Sequence, residues 1–450
     1  MRAGVAAGHP ATADVGAAIL ADGGTAADAV VAMALASCVA ETVMSGLLSG
    51  AHAIVFDGSR VRNLDGFGAV PTGSGELVDV PVAFGGEIVV YELGPASCAV
   101  PGLPAALGAL SKALGRLPWK QLVEPALGLA RSGVPLPEMH ARSLETLVDA
   151  IGLGRGADLY RRDGRTLAAG ELLEQPGLVE TFEVLAEEGA ESVYRGTLAE
   201  ALLAVDGVVI TAADLLEYEP VWRDPVLTTF HGRRVATRGG LSGIPELLPR
   251  LPVLTGLSAA ERVLVLVEAL ETSESGGEHT TNIVAVDAQD RACVLTHSLG
   301  VGAGVYLPGL DVQLNNLLGE SDIAFGEPTR GDHLESRMAP SLVFDGDGLV
   351  LAAGSAGATR LRSALATVLA GVLDEGLDPE EAIARPRVHP TTEAVDAEPG
   401  VDEEALVELE ARGRAVRRWD RPHHYFGGVS CVGRAGAAGD PRRSGAAILL

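Results

Sequence analysis

Two hydrophobic patterns alternate along the chain. Ala- and Val-rich runs with helical spacing are separated by short β-branched runs, which are bounded by glycine, aspartate and other turn-forming residues. Residues 10–22 predict a helix that ends at Gly23-Gly24, and Thr25 predicts the cap of a second helix that runs to about Val39. Because this second helix is rich in alanine, we expect it to be thin and central. Further helices are predicted over 101–132, in amphipathic segments between 134 and 230, and over 259–272, 361–376 and 403–412.

The strand-like runs predict hairpins. One run starts at Thr280, and a short polar link joins it to a second run over 292–299, so that hydroxyls gather at one end of the pair. Threonine is common in strands, so this pair alone leaves a structural and a functional explanation open. Other strands are predicted over 51–56, 61–64, 87–91, 226–230, 234–237, 340–344, 349–353, 415–418, 429–432 and 446–450. The stretches 303–306 and 314–316 look strand- and loop-like. Since strands and helices are mixed throughout, the pattern predicts a layered α/β protein.

Length and charge narrow the possible functions. A chain of 450 residues exceeds the usual size of one domain, but no linker is long enough to separate independent domains. We therefore expect residues 1–450 to form one large unit. The formal net charge of −26 argues against nucleic acid or an anionic membrane surface as a partner.

The cysteines and the N-terminus give no sign of an exported or metal-binding protein. Cys38, Cys98, Cys293 and Cys431 are widely spaced and form no CxxC pair, so we expect each to be a small buried residue. The first residues contain no apolar segment followed by a cleavage site, which predicts a cytoplasmic location. Neither a cofactor nor a metal is expected.

Three weaker motifs each allow a structural interpretation. His423-His424 could bind a metal, but without neighbouring ligands a surface or loop position is favoured. Residues 345–348 resemble the start of a calcium loop, yet the later glutamate is missing, so a hairpin turn is predicted. His297 should point to the opposite strand face from Thr296 and Ser298, and is expected to be structural.

Several segments in order resemble the γ-glutamyl transpeptidase family of N-terminal-nucleophile hydrolases. They are the stretch from Ala13 to Val30, Val100-Pro101-Gly102-Leu103-Pro104, Gln175-Pro176 with Tyr194-Arg195-Gly196 and Asp214-Leu215, Thr280-Thr281-Asn282, Pro386-Arg387-Val388-His389, and the end from Asp440 to Ala447. The resemblance covers nearly the whole chain and implies a four-layer αββα sandwich. It also implies self-cleavage of the His279–Thr280 bond, with fragments 1–279 and 280–450 remaining interlocked.

The resemblance assigns catalytic roles to four positions. Thr280 matches the nucleophile, and cleavage would give it a free α-amine that can act as its base. Ser298 matches a second hydroxyl that hydrogen-bonds the nucleophile. Gly357 and Ala358 match the two residues whose backbone N–H groups form the oxyanion hole, where alanine is acceptable unless a positive φ is required. A phosphate-binding role for residues 354–360 is a weaker alternative, because no Lys-Ser/Thr follows the glycines.

The positions that hold the γ-glutamyl group in the family differ in this chain. Phe67 replaces an arginine of the family, Gly300 replaces an asparagine, and Leu317 replaces a polar residue. Glu320 replaces an aspartate, and Ser336-Arg337 replaces a Ser-Ser pair. Losing a bidentate arginine–carboxylate contact costs about 2–5 kcal/mol of binding, which argues against ordinary γ-glutamyl donors. Arg337 either binds a carboxylate from another direction or forms a surface salt bridge. Glu320 either orients a substrate amine, as its position favours, or faces solvent.

Three functions therefore compete. The favoured one is a self-processing threonine hydrolase or acyltransferase that cleaves an amide of a small molecule. It is expected to work as a heterodimer of its two fragments, either alone or within a higher oligomer. A second is a carbon–carbon bond hydrolase, as in relatives from pyrrolobenzodiazepine, lincosamide and hormaomycin pathways. A third is a non-catalytic binding protein, for which the unusual His279 and Asn282 leave room. The stretch before Thr280 is shorter than is usual in the family, so a more open or differently covered cleft is expected.

Overall fold

The structure is a computed structural model that describes residues 1–84, 87–270, 280–320 and 329–450. The helices are α1 Pro10–Ala21, α2 Ala26–Ala40, α3 Leu103–Leu114, α4 Trp119–Ser132, α5 Glu138–Ile151, α6 Gly156–Tyr160, α7 Gly177–Glu188, α8 Ser192–Arg195, α9 Thr197–Leu203, α10 Ala212–Glu217, α11 Ile244–Leu247, α12 Ala259–Leu270, α13 Arg360–Leu373, α14 Pro379–Ala384 and α15 Glu403–Ala411. The strands are β1 Gly4–Ala7, β2 Gly50–Phe56, β3 Val61–Gly66, β4 Val78–Phe84, β5 Glu87–Leu93, β6 Val134–Pro135, β7 Arg161–Arg162, β8 Arg165–Thr166, β9 Leu172–Leu173, β10 Val221–Arg223, β11 Val226–Phe230, β12 Arg233–Thr237, β13 Thr281–Val286, β14 Ala292–Ser298, β15 Ser341–Asp345, β16 Gly348–Ala356, β17 Val388–Pro390, β18 Val395–Ala397, β19 Val416–Arg418, β20 Gly428–Gly433, β21 Gly436–Gly439 and β22 Ala446–Leu449.

Two large antiparallel sheets form the centre of the molecule. Within the described part of the chain, the first sheet has the order β10-β3-β2-β14-β13-β1-β22 and the second has the order β11-β12-β15-β16-β20-β21. The hairpin β13–β14 lies in the middle of the first sheet, where β14 also pairs with β2 and β13 also pairs with β1. Both sheets therefore combine strands from the two sides of residue 280.

Helices cover the outer faces of both sheets, which gives the expected αββα order. Aliphatic side chains of the two sheets, such as Ile54 and Val284 facing Leu342 and Val432, pack together between the sheets. A second cluster joins the first sheet to helices such as α1, α2, α4 and α7, and a third joins the second sheet to helices such as α12, α13 and α15. The four-layer sandwich is confirmed.

Helix α2 shows why alanine dominates the centre. Thr25 caps the helix, and its hydroxyl accepts the backbone N–H of Asp28 while the Asp28 carboxylate accepts the N–H of Thr25. All fifteen residues from Ala26 to Ala40 are buried, so small side chains are needed on every face. The prediction of a capped, thin and central helix is confirmed.

Several predicted boundaries were wrong. The region 72–95 contains a two-stranded hairpin, β4–β5, where one strand was predicted, and strand β1 was not predicted. The stretches 303–306 and 314–316, which looked strand- and loop-like, are loops in which Tyr306 makes an isolated bridge with Gln313. The helix predicted over 259–272 is described as far as Leu270, and the remainder lies outside the described residues.

Candidate active site

Thr280 lies at the end of β13, between the two sheets. Thr281 pairs with His297, so the register of the hairpin places Thr280 opposite Ser298 on β14. Alternation puts Thr280 on the same strand face as Asn282, whose side-chain amide reaches the Ser430 carbonyl of the second sheet at 3.5 Å. Thr280 is 1% exposed, and its hydroxyl has no hydrogen-bond partner within the described residues. The hydroxyl is thus buried near Ser298 and forms no hydrogen bond with it in this structure.

Ser298 connects the nucleophile strand with the following loop. Its hydroxyl accepts the backbone N–H of Gly300 at 2.8 Å. Gly300 has φ +67°, and a side chain at this position would meet the Asn316 amide oxygen at 2.2 Å and the Glu320 carboxylate at 2.6 Å. The space that a larger residue 300 would occupy is therefore filled by Asn316 and Glu320.

Gly357 and Ala358 form the turn between β16 and helix α13. Both have positive φ, +123° for Gly357 and +52° for Ala358. Alanine is acceptable in this turn only if no positive φ is required, and Ala358 has a positive φ. Its backbone strain is about 1–2 kcal/mol, the cost of the left-handed region for an L-residue. Helix α13 begins at Arg360, so the turn lies at a helix N-terminus, where backbone N–H groups and the helix dipole stabilise an anion.

Arg443 connects Thr280 with this turn. Its guanidinium donates to the Thr280 carbonyl at 2.9 Å, and a side chain on Gly357 would lie 3.5 Å from the same guanidinium. Complete burial lowers the pKa of Arg443 to about 10, so the group remains cationic at neutral pH. The resemblance included Arg443 only in a terminal signature, and a basic pair after Asp440-Pro441 was the available signal.

Glu41 is a second residue that the sequence analysis missed. It caps the C-terminal end of α2, and its carboxylate accepts the hydroxyls of Thr12 at 2.7 Å and Thr281 at 2.5 Å. Burial raises the pKa of Glu41 to about 7, although the two hydroxyls and Arg443 oppose this shift. The signal in the sequence was a single acidic residue at the end of a long apolar run.

Two buried histidines, His9 and His140, lie near the backbone of Arg443. His140 shares a hydrogen bond with the Arg443 carbonyl at 3.0 Å, and its ring is 5.5 Å from that of His9. Burial lowers the pKa of His9 to about 4 and that of His140 to about 3. Both rings are therefore neutral at neutral pH, and Arg443 is the cation next to Thr280.

Phe67 and Leu317 pack into one apolar cluster. They are each 1% exposed and share this cluster with Ala99, Leu334 and Met338. The structure thus brings together two positions where the resemblance implies polar or cationic contacts with a substrate, and fills them with hydrocarbon.

Ser336 and Arg337 lie on a loop whose backbone is hydrogen-bonded by Arg238. Arg238 donates to the carbonyl of Ser336 at 2.6 Å and to that of Met338 at 3.3 Å, and the Ser336 hydroxyl accepts the Met338 N–H at 3.1 Å. Arg337 is half-buried. Glu320 is 3% exposed and accepts the Val301 N–H at 3.2 Å, so the alternative that Glu320 faces solvent was wrong.

The remaining candidates have structural surroundings. His297 is buried against α2 and shares a hydrogen bond with the Ser37 hydroxyl at 2.9 Å, as predicted. His424 is 1% exposed and begins the short 3-10 helix His424–Phe426, so of the predicted surface or loop position the surface alternative was wrong for this residue. All four cysteines are buried and unbridged. Within the described residues, no group of His, Cys, Asp or Glu could hold a metal, and no helix is long and apolar enough to cross a bilayer.

Comparison with known proteins identifies the family. The family model described as Gamma-glutamyltranspeptidase matches residues 12–275 and 265–450. The chain is 24% identical to a Glutathione hydrolase proenzyme of Bacillus subtilis, over 91% of this chain and 84% of that protein. It is 26% identical to an Acylase ACY 1 proenzyme of a Pseudomonas species, over 95% of this chain and 89% of that protein.

A solved structure has the same fold. The cephalosporin acylase from Bacillus halodurans superposes with a TM-score of 0.85 at 22% identity, covering 100% of this chain and 96% of that chain. At this identity the likeness establishes the fold alone.

Proposed function

The chain belongs to the gamma-glutamyltranspeptidase family and is a hydrolase of that family, and on this premise we propose that Thr280 is its nucleophile. The observation that carries this proposal is the position of the Thr280 hydroxyl. This hydroxyl is buried between the sheets, and Thr280 lies opposite Ser298. Arg443 donates a hydrogen bond to the backbone carbonyl of Thr280. A positive charge and a helix N-terminus flank the place where an oxyanion would form.

The first reaction is proposed to be self-cleavage. The Thr280 hydroxyl attacks the carbonyl of residue 279, the C–N bond breaks, and the nitrogen takes a proton to become the α-amine of Thr280. Water then hydrolyses the resulting ester and frees the hydroxyl. The scissile bond begins at His279, which lies outside the described residues.

The two fragments would remain together after cleavage. Strand β13 of fragment 280–450 pairs with β1 of fragment 1–279, and β14 pairs with β2. The second sheet has a similar junction, where β12 pairs with β15. Because each sheet contains strands of both fragments, separating the fragments would break backbone ladders and the apolar layer between the sheets.

Catalysis is proposed to use the same hydroxyl on an external amide. With the α-amine of Thr280 as base, the hydroxyl attacks the acyl carbon, the amine leaves with a proton, and water or another amine releases the acyl group. The Gly357–Ala358 turn would stabilise the oxyanion in both steps. Ser298 is proposed to hold the nucleophile in position by a hydrogen bond.

The acyl donor is proposed to differ from a γ-glutamyl compound. Phe67 and Leu317 fill with hydrocarbon the positions that would have to bind an α-carboxylate and an α-amine. Removing such contacts from a closed site costs about 2–5 kcal/mol of binding. Between the substrates implied by the two relatives' names, this observation favours that of an acylase over glutathione.

The alternatives remain distinguishable. An apolar acyl pocket also suits a carbon–carbon bond hydrolase with the same nucleophile. A non-catalytic binding protein would not explain a buried hydroxyl beside an anion-stabilising turn. A cytoplasmic location and assembly beyond the two fragments stay predictions.

Intact mass after denaturation tests the proposal. Wild-type protein is expected to give fragments 1–279 and 280–450 in place of the 46.1 kDa chain. Thr280→Ala should remain intact, because it lacks the attacking hydroxyl, whereas Thr280→Ser should cleave, more slowly. A wild-type chain that stays whole on prolonged incubation, or a Thr280→Ala chain that is cut at the same bond, would contradict the proposal.

A further inference from the structure

We propose that Glu41 is a positioning residue for the nucleophile, because it holds Thr281 by a hydrogen bond and thereby orients the hydroxyl of the neighbouring Thr280. This inference rests on Thr280 being the nucleophile, as proposed above. Within the described residues the Thr280 hydroxyl has no hydrogen-bond partner, so Glu41 acts through Thr281 and not on the reacting oxygen itself.

The contact between Glu41 and Thr281 is buried and closely packed. One carboxylate oxygen accepts the Thr281 hydroxyl at 2.5 Å, and the other accepts the Thr12 hydroxyl at 2.7 Å. Glu41 is 1% exposed and Thr281 is 2% exposed, so water does not compete for the bond between them. A side chain on Gly8 would come within 2.5 Å of the carboxylate and 3.0 Å of the Thr281 hydroxyl. The chain at Gly8 therefore passes close to the pair and leaves it little room to move.

Thr281 influences Thr280 because the two residues are consecutive in an extended chain. Their side chains point to opposite faces of the first sheet, that of Thr281 toward helix α2 and that of Thr280 toward the second sheet. A planar peptide joins their Cα atoms, which are about 3.8 Å apart, so a twist of the strand end moves both side chains. After the proposed self-cleavage, Thr281 is also the one covalent neighbour of Thr280. Fixing the Thr281 side chain on one face therefore restrains the Thr280 hydroxyl on the other.

Helix α2 holds the partner strand β14 in the same way. Ser37 lies on this helix four residues before Glu41, which is about one helical turn. The Ser37 hydroxyl shares a hydrogen bond with His297 at 2.9 Å, and His297 pairs directly with Thr281. The end of α2 thus binds both residues that adjoin the proposed nucleophile and its hydroxyl partner.

The peptide that follows the nucleophile is held at both ends. Arg443 donates to the Thr280 carbonyl at 2.9 Å, while Glu41 accepts the Thr281 hydroxyl. A displacement of about 1 Å at a reacting group costs on the order of a hundredfold in rate. Loss of the bond to Glu41 is therefore expected to be visible in the rate of the reaction.

Stability does not account for an acidic residue at this position. Glu41 follows the C-terminal end of α2, where the helix dipole disfavours a negative charge. Burial raises the pKa of Glu41 to about 7, and Arg443 and the two hydroxyls offset this shift only in part. A buried apolar residue would avoid both costs. The hydrogen bond with Thr281 is the contact that explains a glutamate here.

The rate of self-cleavage tests the proposal without a substrate. Precursor is made by cell-free synthesis, synthesis is stopped, and the first-order appearance of fragment 280–450 is followed by intact mass. Thr281→Val, which removes the hydroxyl at nearly constant shape, should slow cleavage at least about tenfold. Thr281→Ser keeps a hydroxyl and should retain at least about a third of the wild-type rate.

Thr12→Val is the matched control. It removes the other hydroxyl from the same carboxylate but leaves the bond to Thr281 in place. Its rate of cleavage should stay within about twofold of the wild type, although its loss of stability in urea unfolding should match that of Thr281→Val.

Glu41→Met and the double variant Glu41→Met with Thr281→Val complete a double-mutant cycle. Neither variant leaves a buried carboxylate at residue 41, so both keep the test decisive where Thr281→Val fails to fold. Because one hydrogen bond carries the proposed effect, the double variant should cleave about as slowly as each single variant.

The possible outcomes separate the role of Glu41 from the proposed function. A double variant that cleaves at the wild-type rate, or that is slowed by the product of the two single effects, would overturn the positioning role. So would a Thr12→Val protein slowed as much as Thr281→Val, because general loosening would then explain both. In each of these cases a wild-type chain that cuts before Thr280 keeps the proposed function. A wild-type chain that never cuts would reject the proposed function, and the role of Glu41 with it.

Discussion

Replacing Glu41 by glutamine should change how the stability of this protein depends on pH. The Glu41 carboxylate is 1% exposed and is held by the hydroxyls of Thr12 and Thr281, next to Thr280. Glutamine has nearly the same shape and keeps an acceptor for one hydroxyl, but it cannot ionise. The substitution therefore removes the titration with little change in packing.

The magnitude follows from the pKa of Glu41. Burial raises this pKa from its ordinary value of 4.5 to about 7. At low pH the side chain is protonated in the folded and the unfolded protein, and it costs nothing. As the pH rises from about 4.5 to about 7, the unfolded chain releases its proton first, so the folded state loses about 3 kcal/mol of stability relative to low pH. This contribution is absent from Glu41→Gln.

Buried histidines act in the opposite direction. Burial lowers the pKa of His9 to about 4 and that of His140 to about 3, so each becomes protonated in the unfolded chain before it does so in the folded protein. They reduce stability as the pH falls below about 6.5. The profile of the wild type alone therefore mixes both effects, and only its difference from Glu41→Gln isolates the carboxyl group.

Urea unfolding of paired variants measures this difference. Both proteins should carry Thr280→Ala, so that a single uncut chain unfolds in each case. The gain in unfolding free energy on replacing Glu41 should grow by about 3 kcal/mol between about pH 4.5 and about pH 7.5. Glu335→Gln is the control for exchanging a carboxylate for an amide, because the Glu335 side chain is 53% exposed. A difference for Glu41→Gln that does not grow with pH, or grows no more than that for Glu335→Gln, would refute the reasoning.

Three further substitutions test the close contacts. Gly300→Asn should destabilise the protein by about 2–3 kcal/mol in thermal unfolding, because its side chain would meet the buried Asn316 amide at 2.2 Å. Ala358→Gly should add up to about 1 kcal/mol of stability, because φ at Ala358 is +52°. Arg387→Met should cost about 3 kcal/mol in urea unfolding, because the buried Asp440 would lose its 2.6 Å ion pair and keep only the one with Arg442 at 3.2 Å.

The opposite outcomes are equally clear. A Gly300→Asn protein as stable as the wild type would mean that Asn316 can move aside. A loss of stability on Ala358→Gly would mean that the alanine methyl group packs better than its backbone strain costs. If Arg387→Met and Arg387→Met with Asp440→Leu are equally unstable, the lost ion pair with Asp440 is not the cause.

Local patterns in the sequence were enough for the elements that carry the nucleophile. The capping box at Thr25 and Asp28 predicted α2, and β-branched alternation after Thr280 predicted the β13–β14 hairpin. Both depend on residues within a few positions of each other, so the sequence contains the whole interaction. The same holds for His297, whose position between Thr296 and Ser298 predicted its direction.

Other parts of the site depend on residues that are far apart in the chain. Arg443 reaches Thr280 across 163 positions, and Glu41 reaches Thr281 across 240. Neither residue belongs to a local pattern that marks it as part of a site. Their roles follow only when β22 closes the first sheet beside β1 and the C-terminal end of α2 meets the start of β13.

The sequence by itself determined the family, the layered fold and the candidate nucleophile. The reason is that motifs and hydrophobic periodicity involve neighbouring residues and can be read directly from the order of residues in the chain. The tertiary structure alone decided that Thr281 faces Glu41 and that Asn316 fills the space beside Gly300. The physical reason is that strand register and side-chain volume are set by pairing between distant segments. A change of one residue in register would turn every side chain of a strand to the other face.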